Sequence, residues 1–205
     1  MKVYGHPMST CTRKVLTTLA EKGKEAEFVL VDLTKGEQKS PAHLARQPFG
    51  VVPAFEADDG TLLYESRAII RYLDRVLPGT SLTPSQPKPY GFMEQFIGVE
   101  QSYFSPAAMK IIMVELFHRG EGSEAAARVA EGRQGVEKVF SVVEPVLGRQ
   151  QFLAGDAFSL ADVTWMPYLG YLGATSAKDL IGKYPNVSAW WNRISARPSW
   201  KKVAG

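Results

Sequence analysis

A proline at the head of an apolar strand limits what this chain can build around it. Gly50-Val51-Val52-Pro53 sets one there, after Gln47-Pro48-Phe49 and before Ala54-Phe55-Glu56. Proline cannot donate to a sheet ladder, so it belongs at a strand start or a turn. X-Pro bonds also adopt cis far more readily than other peptide bonds. A cis Val52-Pro53 bond would turn the Val52 N–H and C=O outward, free to pair with an extended peptide laid alongside. Asp58-Asp59-Gly60 is a hairpin turn signal, and Thr61–Tyr64 is the returning strand. Glu65-Ser66 then opens a helix through Arg67–Leu73, and a helix N-terminus favours carboxylates. Together these features describe a cradle for a short acidic peptide. An ordinary strand-turn-strand-helix edge is the competing account.

Before this segment, Lys2–Gly5 is a short strand. His6–Thr12 follows as a turn with helix-start residues, and Arg13–Lys22 is a helix with Val15, Leu16, Leu19 and Ala20 on one face. Gly23 ends that helix, and Phe28–Leu33 is expected to be a buried strand. This β-α-β unit is expected to be parallel and right-handed. Lys35–Ala45 is a polar loop with room for a short helix. The order β-α-β-loop-β-β-α matches the thioredoxin-like fold.

Four prolines between Pro78 and Pro89 have linker composition. Everything beyond reads as helix. Tyr90–Phe117 is helical, with a kink or break at Ser105-Pro106. Ser123–Leu147 is a second long amphipathic helix. Ser159-x-x-Asp162 is a capping box with Phe158 and Val163 as a hydrophobic staple, opening a helix apolar nearly all round through Leu172 and hence buried. Pro185–Ser195 and Pro198–Val203 are short terminal helices. The fold class is therefore α/β followed by all-α: a thioredoxin-like domain at 1–78, a linker at 79–89 and a helical domain at 90–205.

Composition narrows the function. The 24 basic and 21 acidic side chains leave a net charge of +3 without a basic run interleaved with aromatics, so nucleic acid is not the expected partner. No stretch approaches the ~20 apolar residues of a membrane span, and no signal peptide is expected from the N-terminal residues. A single cysteine excludes an intrachain disulfide and fits a reducing compartment. No His/Cys cluster has metal-ligand spacing.

Three motifs, in order, resemble the glutathione transferases, most closely their phi-like, serine-type group. They are Gly5-His6-Pro7-x-Ser9-x-x-Thr12-Arg13-Lys14-Val15, Gln47-Pro48-Phe49-Gly50-x-Val52-Pro53 and Glu65-Ser66-Arg67-Ala68-Ile69. With the helical half and Ser159-x-x-Asp162, the resemblance spans essentially the whole chain. It implies a cytoplasmic homodimeric enzyme that uses glutathione as co-substrate and holds no permanent cofactor. The second substrate would be a small hydrophobic electrophile, or an organic hydroperoxide to be reduced.

The resemblance also implies roles for individual residues. Ser9 stands at the position of the catalytic serine. A thiol with pKa about 8.5 is only roughly 3% ionised at pH 7, and a hydroxyl donated to sulfur at a helix N-terminus lowers that pKa. Ser9 as a helix cap alone is the alternative. Val52 and Pro53 match the loop that pairs with the cysteinyl backbone, and Glu65 and Ser66 match the pair that holds the γ-glutamyl end. Lys39 matches a residue on the glycine carboxylate, or else is a solvated surface lysine. Gln38 stands where the group often has histidine, and Val51 where it often has glutamine. Met8 from the first domain and Phe104, Met109, Met113 and Tyr171 from the helical domain are candidate walls of an electrophile pocket, each of them also a candidate core residue. Tyr90–Phe104, with Arg67 and Arg71, suits a dimer seam.

Cys11 supports a rival chemistry, a cysteine-dependent thiol transferase or reductase. Helical geometry turns it roughly 200° from Ser9, and a buried inert thiol is the plainer account. A non-enzymatic ligand-binding protein of the same fold is the third possibility. His6 and His43 read as structural or surface residues.

Overall fold

A computed structural model describes all residues from Met1 to Gly205. The chain divides into two compact units, Met1–Ser81 with Ser199–Gly205, and Leu82–Pro198.

The first unit contains β1 (Lys2–Gly5), α1 (Thr10–Glu21), β2 (Glu27–Leu30), a 3-10 turn at Glu37–Lys39, α2 (Pro41–Leu44), β3 (Ala54–Glu56), β4 (Leu62–Tyr64) and α3 (Ser66–Val76). The sheet runs β2-β1-β3-β4, with β1 parallel to β2 and antiparallel to β3, and β3 antiparallel to β4. Register aligns the strand ends. Tyr4 lies opposite Ala54, and Ala54 opposite Tyr64. The end of β1, the start of β3 and the end of β4 therefore share one row.

Helices α1 and α3 pack together, with Val15, Ile69, Ile70 and Leu73 fully buried. Burial of each such side chain stabilises by roughly 1.5–3 kcal/mol. Lys22 and Asp74, both buried, pair at 3.1 Å and join the C-terminal ends of these helices. Lys22 also donates to the Thr80 carbonyl at 3.0 Å.

Strand β2 departs from expectation. It is an edge strand rather than a buried one, and Leu30 is 56% exposed. The apolar run splits by strand alternation. Val29, Val31 and Leu33 join Tyr4, Val52 and Ala54 in one cluster, whereas Phe28 and Leu30 are exposed.

The second unit holds α4 (Pro87–Val99), a π-helical turn (Glu100–Phe104), α5 (Ser105–Glu115), α6 (Gly122–Leu147), α7 (Leu160–Leu172), α8 (Lys178–Lys183) and α9 (Pro185–Ser195). Pro87 and Pro89 lie in the first turn of α4, where a missing N–H costs nothing, so this helix starts inside the proline-rich stretch. Pro106 cannot donate to the Ser102 carbonyl, and the helix widens into the π turn immediately before it. The short α8 has too few residues to show a periodicity in the sequence.

The core of this unit is aromatic. Phe104 stacks on Trp165 at 4.3 Å, and Trp165 meets Trp190 edge-on at 5.8 Å. Both indole N–H groups are satisfied, Trp165 by the Phe96 carbonyl and Trp190 by Asp162 Oδ1. Asp162 completes the capping box with Ser159 at the start of α7. Its fully buried carboxylate also accepts from the Leu153 amide at 3.1 Å. Burial pushes the Asp162 carboxyl above its ordinary range, against the pull of the N–H and O–H donors around it. The last helix, α10 (Pro198–Ala204), carries the chain back into the first unit from Ser199 onward, where Ser199 bonds Glu21 and Lys202 pairs with Glu25.

Candidate active site

The site is built on the row that register created. Beyond Gly5 of β1 the chain turns through His6–Met8 to Ser9. Before Ala54 of β3 lies the Val52-Pro53 bond, which is cis. After Tyr64 of β4 come Glu65 and Ser66. Adjacent strands are ~4.8 Å apart, so the approaches to α1, β3 and α3 are brought to one end of the sheet.

Ser9 is the N-cap of α1, and its Oγ accepts from the Thr12 amide at 3.2 Å. The cap and the expected chemical role are compatible, because a hydroxyl that accepts one bond retains its own proton to donate. The turn before it is pinned: His6 Nδ1 accepts from the Met8 amide at 3.2 Å, and the Ser9 amide donates to the His6 carbonyl at 2.9 Å. Gly5 is required here. A Cβ at this position would lie 2.6 Å from Thr12 Cγ2, and Thr12 is fully buried.

Glu65 precedes α3 with φ 68° and ψ 106°, left-handed geometry that a non-glycine residue rarely adopts. Its side chain makes no cap bond to the helix, so the carboxylate is not consumed by its own backbone. Strain of this kind gathers at functional sites. No sequence signal marks Glu65 for positive φ. Ser66 is buried at the first helical position.

Lys39 lies at the end of the 3-10 turn, and its Nζ donates to the Phe49 carbonyl at 3.1 Å. The Gln38 side-chain oxygen is buried without a hydrogen-bond partner. Gly50 has φ 63°, and a Cβ there would lie 2.7 Å from Lys39 Nζ. Gly50→Ala therefore meets two obstacles at once. The expected outcome is a loss of about 1–2 kcal/mol in urea unfolding. An unchanged midpoint would refute this.

Among the candidate pocket residues, Met8 is exposed and adjoins Ser9, and Met109 and Met113 are half-buried on α5. Tyr171 is mostly buried against Phe117. Phe104 is a correction. It is 0% exposed, enclosed by Phe140, Trp165 and Tyr168, and offers no surface to a ligand. Cys11 is half-buried rather than buried. His43, expected to be merely structural or at the surface, holds the loop before Pro53, with Nε2 at 2.8 Å from the Val51 carbonyl. A histidine has no local spacing rule that reveals such a contact.

A thioredoxin-like unit with a serine-capped helix, a cis-proline loop and a strained acidic residue at a second helix start, in one chain with an all-helical unit, defines a class of glutathione-binding enzymes. Residues 1–75 match the glutathione S-transferase N-terminal domain, and residues 104–198 match the C-terminal domain. Glutathione S-transferase F11 of Arabidopsis thaliana is 41% identical over 208 residues, covering 99% of this chain and 96% of the relative. The solved structure of glutathione transferase F7 from Populus trichocarpa superposes with a TM-score of 0.92 at 39% identity, covering 99% and 97%. Glutathione S-transferase I from mais, solved with an atrazine glutathione conjugate, gives 0.89 at 34% identity, covering 99% and 95%. The chain belongs to the glutathione S-transferase family, within its phi-like (F) group, and is a transferase with glutathione as co-substrate. No helix is long and apolar enough to cross a membrane.

Proposed function

We propose that Ser9 stabilises the thiolate of bound glutathione for attack on a small hydrophobic electrophile. The Val52 main chain, carried by the Val52-Pro53 loop, pairs with the cysteinyl backbone. Glu65 receives the α-ammonium of the γ-glutamyl group, and Ser66 its carboxylate at the α3 N-terminus. Lys39 holds the glycine carboxylate. The observation that carries this proposal is the Tyr4–Ala54–Tyr64 row, which brings the three segments to one sheet end.

Catalysis here is an electrostatic task. The Ser9 hydroxyl and the first-turn amides of α1 face developing negative charge, and each unit of pKa lowering is worth about 1.4 kcal/mol to the anion. The thiolate attacks the electrophilic carbon, and the leaving group departs with its electron pair. Met109, Met113 and Tyr171 of the helical unit are the side chains assigned to the electrophile, since methionines and aromatics suit apolar ligands of varied shape. The mais relative solved with an atrazine conjugate supports a compact aromatic second substrate. The enzyme acts in the cytoplasm as a homodimer, needs no permanently bound cofactor, and meets its partner through the exposed faces around Tyr90 and Tyr103 together with α3.

Calorimetric titration with glutathione, followed by ultraviolet thiolate absorbance against pH, tests the proposal. Binding with a bound-thiol pKa below the free value is expected. Binding with no shift would remove Ser9 from the chemistry. Glu65→Gln keeps the shape and removes the charge, so it is expected to raise the glutathione KM about tenfold. Steady-state kinetics at varied glutathione reads this directly, and an unchanged KM would dismiss Glu65 as a ligand residue.

A further inference from the structure

We propose that His43, assisted by Gln47, is a positioning residue for glutathione: it aims the Val52 N–H by holding the other side of the same peptide plane. This rests on the proposed pairing of Val52 with the glutathione backbone. Both side chains are buried, His43 at 4% and Gln47 at 1% exposure. His43 Nε2 lies 2.8 Å from the Val51 carbonyl. A carbonyl only accepts, so Nε2 carries the proton and donates. Gln47 Oε1 accepts from the Val51 amide at 3.4 Å. Both main-chain groups of Val51 are thus held by buried side chains.

Peptide planarity transmits the effect. The Val51–Val52 bond is not among the cis bonds, and in a trans peptide the C=O and the following N–H point in opposite directions. The Val51 carbonyl is turned toward the buried His43 ring, so the Val52 N–H is turned away from it. His43 is itself anchored: its amide lies 3.3 Å from Ser40 Oγ, and its carbonyl accepts from the Gln47 amide at 2.8 Å. A second bond, from the Gly50 amide to the Gln47 carbonyl at 2.9 Å, closes the turn. The donor that reaches a peptide ligand is thereby oriented from behind by side chains that never touch it.

The test compares His43→Phe, which keeps a ring and loses the donor, with His43→Gln, whose amide N–H reaches about as far as Nε2. Glu65→Gln serves as the site control. His43→Phe is expected to raise the glutathione KM about fivefold, with kcat at saturating glutathione and the electrophile KM within about twofold of the parent. His43→Gln is expected to restore the glutathione KM. A KM unchanged by His43→Phe but raised by Glu65→Gln overturns the positioning role and leaves the site intact. A raised KM that His43→Gln does not recover also overturns it, since the effect then belongs to ring packing. If neither His43→Phe nor Glu65→Gln moves the glutathione KM, the proposed site falls and the positioning role with it. Should His43→Phe fail to fold, Gln47→Met is judged by the same criterion: a raised glutathione KM with kcat held supports the role, and an unchanged KM overturns it.

Discussion

Ser9→Ala is expected to lower kcat/KM for conjugation about a hundredfold or more. Removing one preorganised donor from a developing anion costs roughly 10²–10³ in rate. The bound-thiol pKa should return toward the free value of about 8.5. Glutathione KM should change little, because the proposed contacts of Val52, Glu65, Ser66 and Lys39 remain. A separate loss of about 1 kcal/mol in stability is expected from the cap, since Oγ accepts from the Thr12 amide. Stopped-flow absorbance of the bound thiolate separates the two effects, because a stability loss does not move a pKa. Undiminished turnover in Ser9→Ala, together with its loss in Cys11→Ala, would transfer the chemistry to the cysteine.

The largest effect on stability is expected at Asp162. Its carboxylate accepts from the Leu153 amide, the Ser159 amide, Ser159 Oγ and Trp190 Nε1. Asp162→Ala strands these donors in a region where Leu153 and Trp190 are fully buried. Each stranded buried donor costs about 1–3 kcal/mol. The sum approaches the whole stability of a typical domain, about 5–15 kcal/mol. The helical unit is therefore expected to lose cooperative unfolding, or the protein to be insoluble. Asp162→Asn keeps one acceptor and turns an NH₂ toward N–H groups, so it is expected to cost about 3 kcal/mol. Urea unfolding followed by tryptophan fluorescence measures both. A cost below 1 kcal/mol in either variant would show that the bonds around Asp162 are replaceable.

These two residues were legible for the same reason. Ser9 precedes a helix start, and Ser159-x-x-Asp162 is a spacing that closes within one turn. Strand β1, the Asp58-Asp59-Gly60 hairpin and the entry to α3 are likewise short-range signals, each complete within a few residues. The Val52-Pro53 motif belongs with them, since proline carries its backbone restriction wherever it stands.

Other features depended on distant partners. That β2 lies at a sheet edge was not visible, because an apolar run of that length does not state how many neighbours it has. Phe104 looked like a pocket wall and proved to be core once Phe140, Trp165 and Tyr168 closed around it. The Glu65 backbone has a positive φ that nothing in its side chain invites. His43 gained its contact with the Val51 carbonyl only when α2 and the loop before Pro53 were folded against each other. What the sequence by itself determined were the capping box of α7, the Asp58-Asp59-Gly60 turn and the proline-led strand, because these rest on backbone preferences and bonds spanning a few residues. What only the tertiary structure decided was which groups converge, since strand register and burial arise from pairing between segments far apart in the chain.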